Sequence, residues 1–205
     1  TRSLIKPTKN KRIVSLLEAL KVAKLGQLIL LSFIVTVVFA SMESTFSLWS
    51  ERTYNWGPQQ NGYIFAFAGV CGVIVQGFFI SKLVKVFGES LLCRLGMLMI
   101  SLGMISVALS YMQFHAYSSM ALIAFGLGLF MPTISTLIVN IVAEDRRGWV
   151  LGVTQSSSSL ARIIGPALAG IFFELLGKNS PYIMGGLLLL IILIIFNSSI
   201  KQFSK

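Results

Sequence analysis

Two ionisable residues stand where apolar ones would be expected. Glu43 lies within the long apolar stretch 25–49, and Arg162 lies within another, 150–173. A charge at the centre of a membrane helix costs ~2.5–3.5 kcal/mol on insertion scales, so such residues mark function or a specific partner. Arg stays protonated and cannot itself carry a proton. It can bind an anionic group, set the pKa of a carboxylate, or tie its helix to a neighbour, and the last two roles suit Arg162 better than substrate contact. Glu43 has two readings. As a buried carboxylate its pKa would rise, so it could exchange protons near neutral pH in a transport path, or meet a cationic substrate. At ~27 Å along its helix from Leu25, it could instead sit at the membrane edge and reach the headgroups. Asn140, Gln155 and Ser158 supply further polar groups on the fourth and fifth apolar stretches.

Other chemistry lacks its residues. No His-Glu-x-x-His, Gly-x-Ser-x-Gly or phosphate-loop pattern occurs, and the single His115 falls in an expected loop with no ligand partners nearby. Cys71 and Cys93 have neither the spacing nor the compartment for a metal site or disulfide and read as small packing residues. An enzyme is not expected, nor is a bound cofactor; a proton gradient is the expected energy source.

The elements that position these residues are membrane helices. Six apolar stretches, 25–49, 61–80, 91–110, 117–142, 150–173 and 181–200, are each long enough to cross a hydrocarbon core of about 30 Å. Unpaired backbone is not tolerated in lipid, so each is read as a helix. Fourteen of the seventeen Lys and Arg residues lie on one side of this arrangement. Seven precede residue 25, and the others sit at the second-to-third and fourth-to-fifth junctions and in the tail. Only Arg52 and Lys178 fall on the opposite side, and Arg162 is inside a helix. The bias places both termini in the cytoplasm. It also accounts for the basic composition, so no nucleic-acid partner is expected. Trp49, Trp56 and Trp149 lie near expected boundaries, where aromatic belts form.

Residues 1–24 read as a basic cytoplasmic linker and 201–205 as a cytoplasmic tail. Ile13, Leu16, Leu17 and Leu20 are spaced for a short amphipathic helix on the inner membrane surface; a solvated linker explains them as well. A chain beginning at Thr1 with no signal peptide reads as a piece of a longer protein, or a trimmed one.

Polarity is uneven among the six stretches. The first, fourth and fifth carry hydroxyls, amides and the two charges, whereas the third and sixth are nearly bare and are expected to meet lipid. The first thus matches the fourth, and the third the sixth. This predicts two three-helix units, inverted relative to each other because each crosses three times, an arrangement found in transporters. Small residues complete the pattern. Ala161, Gly165 and Ala169 recur every four residues beside Pro166, which lets a neighbouring helix approach closely and permits a bend.

In these residues the chain resembles the carboxy-terminal half of a major facilitator superfamily transporter, and more closely the drug:proton antiporters of the tetracycline-resistance type. The run Gly148, Gly152, Gln155, Ser159, Arg162, Gly165, Pro166, Gly170, Gly177 is similar to the family's penultimate helix and the loop before it. Gly126, Gly128 and Pro132 match the preceding helix, and Ser41-Met42-Glu43 matches the first helix of that half. Gly77, Leu83, Phe87, Gly88 and Glu89 resemble a degenerate copy of the family's cytoplasmic loop motif. Lys85 stands where that motif usually has an acidic residue.

The resemblance implies an all-α six-helix half of a twelve-helix protein, completed by an amino-terminal six-helix half. The two halves would rock about a central site for a small amphipathic substrate, and most acidic coupling residues would lie in the other half. For a bacterial source it implies the inner membrane. The alternative is a six-span membrane protein that does not transport, either a partner subunit or a gene remnant.

The charge bias makes an immediate prediction. In single-cysteine variants, His115→Cys should react with a membrane-impermeant thiol reagent from outside the cell, and Arg146→Cys only from inside. The opposite pattern would reverse the orientation.

Overall fold

The computed structural model describes residues 23–201 and, among them, contains helices and no strand. The 1–24 linker, with its possible amphipathic helix, and the tail therefore lie almost wholly outside the described residues. Helix α1 spans Ala23–Tyr54 and α2 spans Pro58–Ile74. A π-helical turn, Val75–Phe79, carries α2 directly into α3, Ile80–Ala108. Then follow α4 (Gln113–Val139), a 3-10 turn (Glu144–Arg146), α5 (Arg147–Leu176) and α6 (Ser180–Lys201). By length and composition four helices could cross a membrane: Lys24–Tyr54, the 51-residue run Pro58–Ala108, Gln113–Val139 and Glu144–Leu176. A shorter apolar helix, Ser180–Phe196, adds to them.

The turns follow from local chemistry. Asn55 takes a left-handed φ of 57° and ends α1, while Pro58, with no N–H to lose, opens α2. Gly177, at φ 93°, ends α5, and the Ser180 hydroxyl donates to the Phe172 and Gly177 carbonyls. The expected loop between residues 80 and 91 is instead helical. Nothing in Ile80–Phe87 breaks a helix, and the chain departs from helical geometry inside α3 only at Gly88, at φ 73° and ψ 158°. That conformation is open to glycine and strained for any L side chain.

Packing is led by small residues. Helices α3 and α4 meet at Gly96 and Gly126, where a Cβ on either would lie 2.7 Å from the other's carbonyl oxygen. Ser101 Oγ on α3 donates to the Gly186 carbonyl of α6 at 2.7 Å. Helix α5 closes on α1 in the same manner, with a Cβ on Gly165 falling 2.7 Å from the Val37 oxygen. Ser41 Oγ donates across this contact to the Gly165 carbonyl at 2.9 Å. Ala161 and Ala169, one turn to either side, are buried with it.

The third apolar stretch exposes Leu95, Leu102 and Leu109 but is not bare all round. Its small residues admit α4 on one side and α6 on another, so Met97, Ile100, Met104 and Val107 are fully buried. The sixth does run along the outside: Leu187, Leu188, Ile191, Ile194 and Ile195 are exposed. Helix α2 with its π turn, and α5, present further large exposed apolar faces, through Val70, Val73 and Phe78 and through Ile163, Ile171 and Leu175.

These contacts set the cost of changing them. Packing, not water exclusion, joins helices in lipid. Gly165→Leu should therefore leave little folded protein after solubilisation and heating, because its side chain would be driven into backbone. Leu190→Ala, at a half-buried site on α6, should cost about 1 kcal/mol, or ~2–4 °C in a thermal-shift measurement. Equal stability of the two variants would contradict the close approach.

Candidate functional site

The structure joins the two ionisable residues picked out in the sequence. Arg162 Nη1 donates to Glu43 Oε2 at 3.4 Å. Arg162 is at the middle of α5, and Glu43 lies ~7 Å past the middle of α1 by helical rise. The contact at Gly165 and Ser41 places them there, since each charged residue stands within one helical turn of that crossing. Helix α1 also continues to Tyr54, well beyond the expected end at 49, so Glu43 is not at the helix terminus. Nor is it buried in this chain: its side chain is 50 % exposed and that of Arg162 is 59 % exposed. Two exposed charges at mid-helix cannot face hydrocarbon without large cost. This face of α1 and α5 is therefore turned to water or to protein.

Beside the pair lies a cavity of about 340 Å³ between α1, α2 and α4. Phe39, Phe65, Met42, Met120 and Ile123 give it an apolar wall, and Glu43 and Gln76 are its polar contributions. Gln76 sits in the π-helical turn, and Gly69 and Gly72 open the α2 wall. Aromatic rings, thioethers and two polar groups suit a small amphipathic molecule better than a strongly hydrated one.

The other sequence-selected groups divide by position. Gln155 and Ser158 precede Arg162 on α5, Gln155 exposed and Ser158 half-buried, and neither lines the cavity. Asn140 caps the far end of α4, remote from Glu43. A second cavity of about 250 Å³ gathers the motif residues, with Lys85, Glu89, Pro132, Thr133 and Thr136 in its wall beside the Gly88 bend. Leu83 packs into the adjoining cluster of Val75, Leu92 and Leu129, whereas Phe87 is half-exposed. Gly77 lies in the π turn, and both it and Gly148 face open space. Pro166 lies inside α5, next to the Gly165 contact.

His115 differs from its expected place. It belongs to the first turn of α4, where its Nε2 is 2.9 Å from Ser106 Oγ. Cys71 and Cys93 are both buried and form no disulfide. The aromatic wall was not foreseen, because Phe39, Phe65 and the two methionines look like ordinary core residues until α1, α2 and α4 are assembled around them.

A model of the Major Facilitator Superfamily matches residues 2–161 and 78–199. The chain belongs to that superfamily. It is a multi-pass integral membrane protein, in keeping with its apolar helices. Among curated superfamily proteins it is 26 % identical over 167 residues to Multidrug resistance protein 2 of Bacillus subtilis (strain 168), covering 78 % of this chain and 41 % of that protein. It is 25 % identical over 150 residues to the Quinolone resistance protein NorA of Staphylococcus aureus (strain MSSA476), covering 71 % and 37 %. The crystal structure of the human organic anion transporter MFSD10 (TETRAN) superposes on 84 % of this chain with a TM-score of 0.79 and 20 % sequence identity, over 40 % of its own length. The chain thus spans about two-fifths of the superfamily proteins it matches.

The half-exposed ion pair has a measurable signature. In a double-mutant cycle on the isolated chain with Glu43→Gln and Arg162→Gln, the coupling energy should lie at ~0.2–1 kcal/mol, the range of solvent-exposed pairs. A coupling several times larger would show that the pair is enclosed.

Proposed function

We propose that this chain is the carboxy-terminal half of a proton-coupled exporter of small amphipathic compounds, working by alternating access with an amino-terminal six-helix half. The observation that carries the reading is the Glu43–Arg162 pair, held at mid-helix beside the aromatic cavity and open on the face of α1 and α5. A second helical half would cover that face. The drug-resistance names of the two bacterial relatives support the direction of transport and the substrate class.

In this reading the Gly88 bend divides the run Pro58–Ala108 into two crossings. The described helices then make six, and both termini face the cytoplasm, in the inner membrane of a bacterial cell. The two inverted three-helix units draw support from the glycine contacts. Gly165 carries α5 onto α1, and Gly128, which meets Val75 of the π turn and the Gly72 carbonyl of α2, carries α4 onto α2. Exchanging first with fourth and second with fifth helices turns one contact into the other. The proton gradient, in place of a bound cofactor, supplies the energy. Glu43 takes part in coupling as a secondary site, and Arg162 is its positioning partner.

The test is transport by the chain together with its amino-terminal half in membrane vesicles. Glu43→Gln removes the carboxylate and keeps the shape, so it should slow proton-driven export while substrate exchange without a gradient stays measurable. Export at the unmodified rate across the whole external pH range would make Glu43 structural.

A further inference from the structure

We propose that the chain holds one phospholipid in a specific site, with its phosphate at Lys178 and Arg52 and an acyl chain in the crevice between α1, α5 and α6. The proposal is independent of the transport reading and needs only that the bundle sits in a bilayer. It begins with two charges the orientation rule does not explain. Arg52 and Lys178 are the cations on the sparsely charged side, at the end of α1 and between α5 and α6, 126 residues apart in the chain. The fold brings them together: Lys178 Nζ donates to the Arg52 carbonyl at 3.2 Å.

Arg52 is held in place. Its guanidinium lies 4.7 Å from the Phe173 ring centroid and 3.5 Å from Glu174. Among the described residues Lys178 pairs with no carboxylate, so the cluster of these three side chains keeps a net positive charge. Glu51 precedes Arg52 and so projects ~100° round α1 from it.

Directly beneath is a crevice of about 450 Å³ with an almost wholly apolar wall. Phe172 and Pro181 form its upper end, and the Ser180 hydroxyl, bonded to the Phe172 carbonyl, ties that end to the segment bearing Lys178. Ser41, Val38 and Val37 on α1 line its lower part, and Leu188 and Ile191 on α6 open it sideways. Ser41 has no proton left to donate to a ligand there, because its hydroxyl is already shared between the Val37 and Gly165 carbonyls.

The dimensions match one leaflet. From Pro181 to Ile191 along α6 the crevice runs ~15 Å by helical rise. Half of a hydrocarbon core is about 15 Å. A cation pair at the rim and an apolar slot one leaflet deep, open toward the lipid-facing side of α6, fit a phosphodiester headgroup joined to a fatty acyl chain.

The test uses the full chain in phosphatidylcholine vesicles doped with phosphatidylglycerol that carries a photoreactive diazirine midway along one acyl chain. Labelling of Leu168, Phe172 and Leu188 is read by mass spectrometry against Ile194 and Ile195, which are exposed on α6 outside the crevice. The crevice should be enriched, and Arg52→Gln or Lys178→Gln should each lower the enrichment about fivefold, the worth of one basic residue against an anionic headgroup. Lys178→Arg should restore it. A diacylglycerol bearing the same chain but no phosphate should label both sets evenly. No enrichment with the phospholipid, enrichment that survives both Gln substitutions, or equal enrichment with diacylglycerol would each overturn the proposal.

Discussion

The structure depends on how closely α5 can approach α1. Helices in lipid gain nothing from hiding apolar surface, so they associate through contact between backbones. At Gly165 only the Ala40 methyl and the Ser41 hydroxyl stand at the contact, and Ser41 bridges the two backbones. The crossing fixes the height at which the helices meet, and so the height at which Arg162 finds Glu43. It also leaves space elsewhere. With α5 held against one side of α1, α2 stands away on another, and the 340 Å³ cavity fills the gap. On the third side α6 diverges toward its lipid-facing run, and the 450 Å³ crevice opens.

The same crossing explains why two costly charges are retained. Apart, either residue would pull its helix toward the nearest headgroups. Paired at 3.4 Å, they share a counter-charge, yet both remain about half-exposed. An ion pair built for stability alone would be enclosed, and even an enclosed pair seldom outweighs its desolvation. An open pair beside a cavity, on a surface that cannot face hydrocarbon, is arranged for something to reach it.

Much of this was legible in the sequence because membrane helices obey few rules. Apolar length marked the helices, and the small-residue stripe at Ala161, Gly165 and Ala169 identified a backbone contact that the fold realises against α1. Glu43 and Arg162 stood out by charge alone. Their pairing did not, because it depends on the angle at which two helices cross 119 residues apart, which one-dimensional periodicity does not encode. The bare composition of the third stretch revealed one side of it only, for a related reason: Leu95, Leu102 and Leu109 are exposed, while its other side is packed. Lack of polar groups is shared by helices that meet lipid and helices that meet other helices, and only its glycines, Gly96 and Gly103, hinted at the second. The 80–91 segment was read as a loop from its charges. In the structure Lys82 and Lys85 lie on an exposed helical surface, and the chain turns at Gly88 instead.

The run from α2 into α3 shows where such a bundle has freedom to change. Its far part is locked, with Gly96 against Gly126 and Ser101 bonded to Gly186. Its near part is not. Between Val75 and Glu89 it holds a π-helical turn and the left-handed Gly88, and most of its side chains are exposed. Segments with few buried contacts open at the least free energy, and π turns mark places where a helix departs from its regular ladder. Gln76 at the cavity and Glu89 by the bend stand at the two ends of this segment. A shift in the π turn would alter the cavity wall and the bend together, with the α1–α5 and α3–α4 crossings unmoved. Of the cavity's lining, Gln76 alone is mounted on this stretch, and the rest stands on α1, α2 and α4.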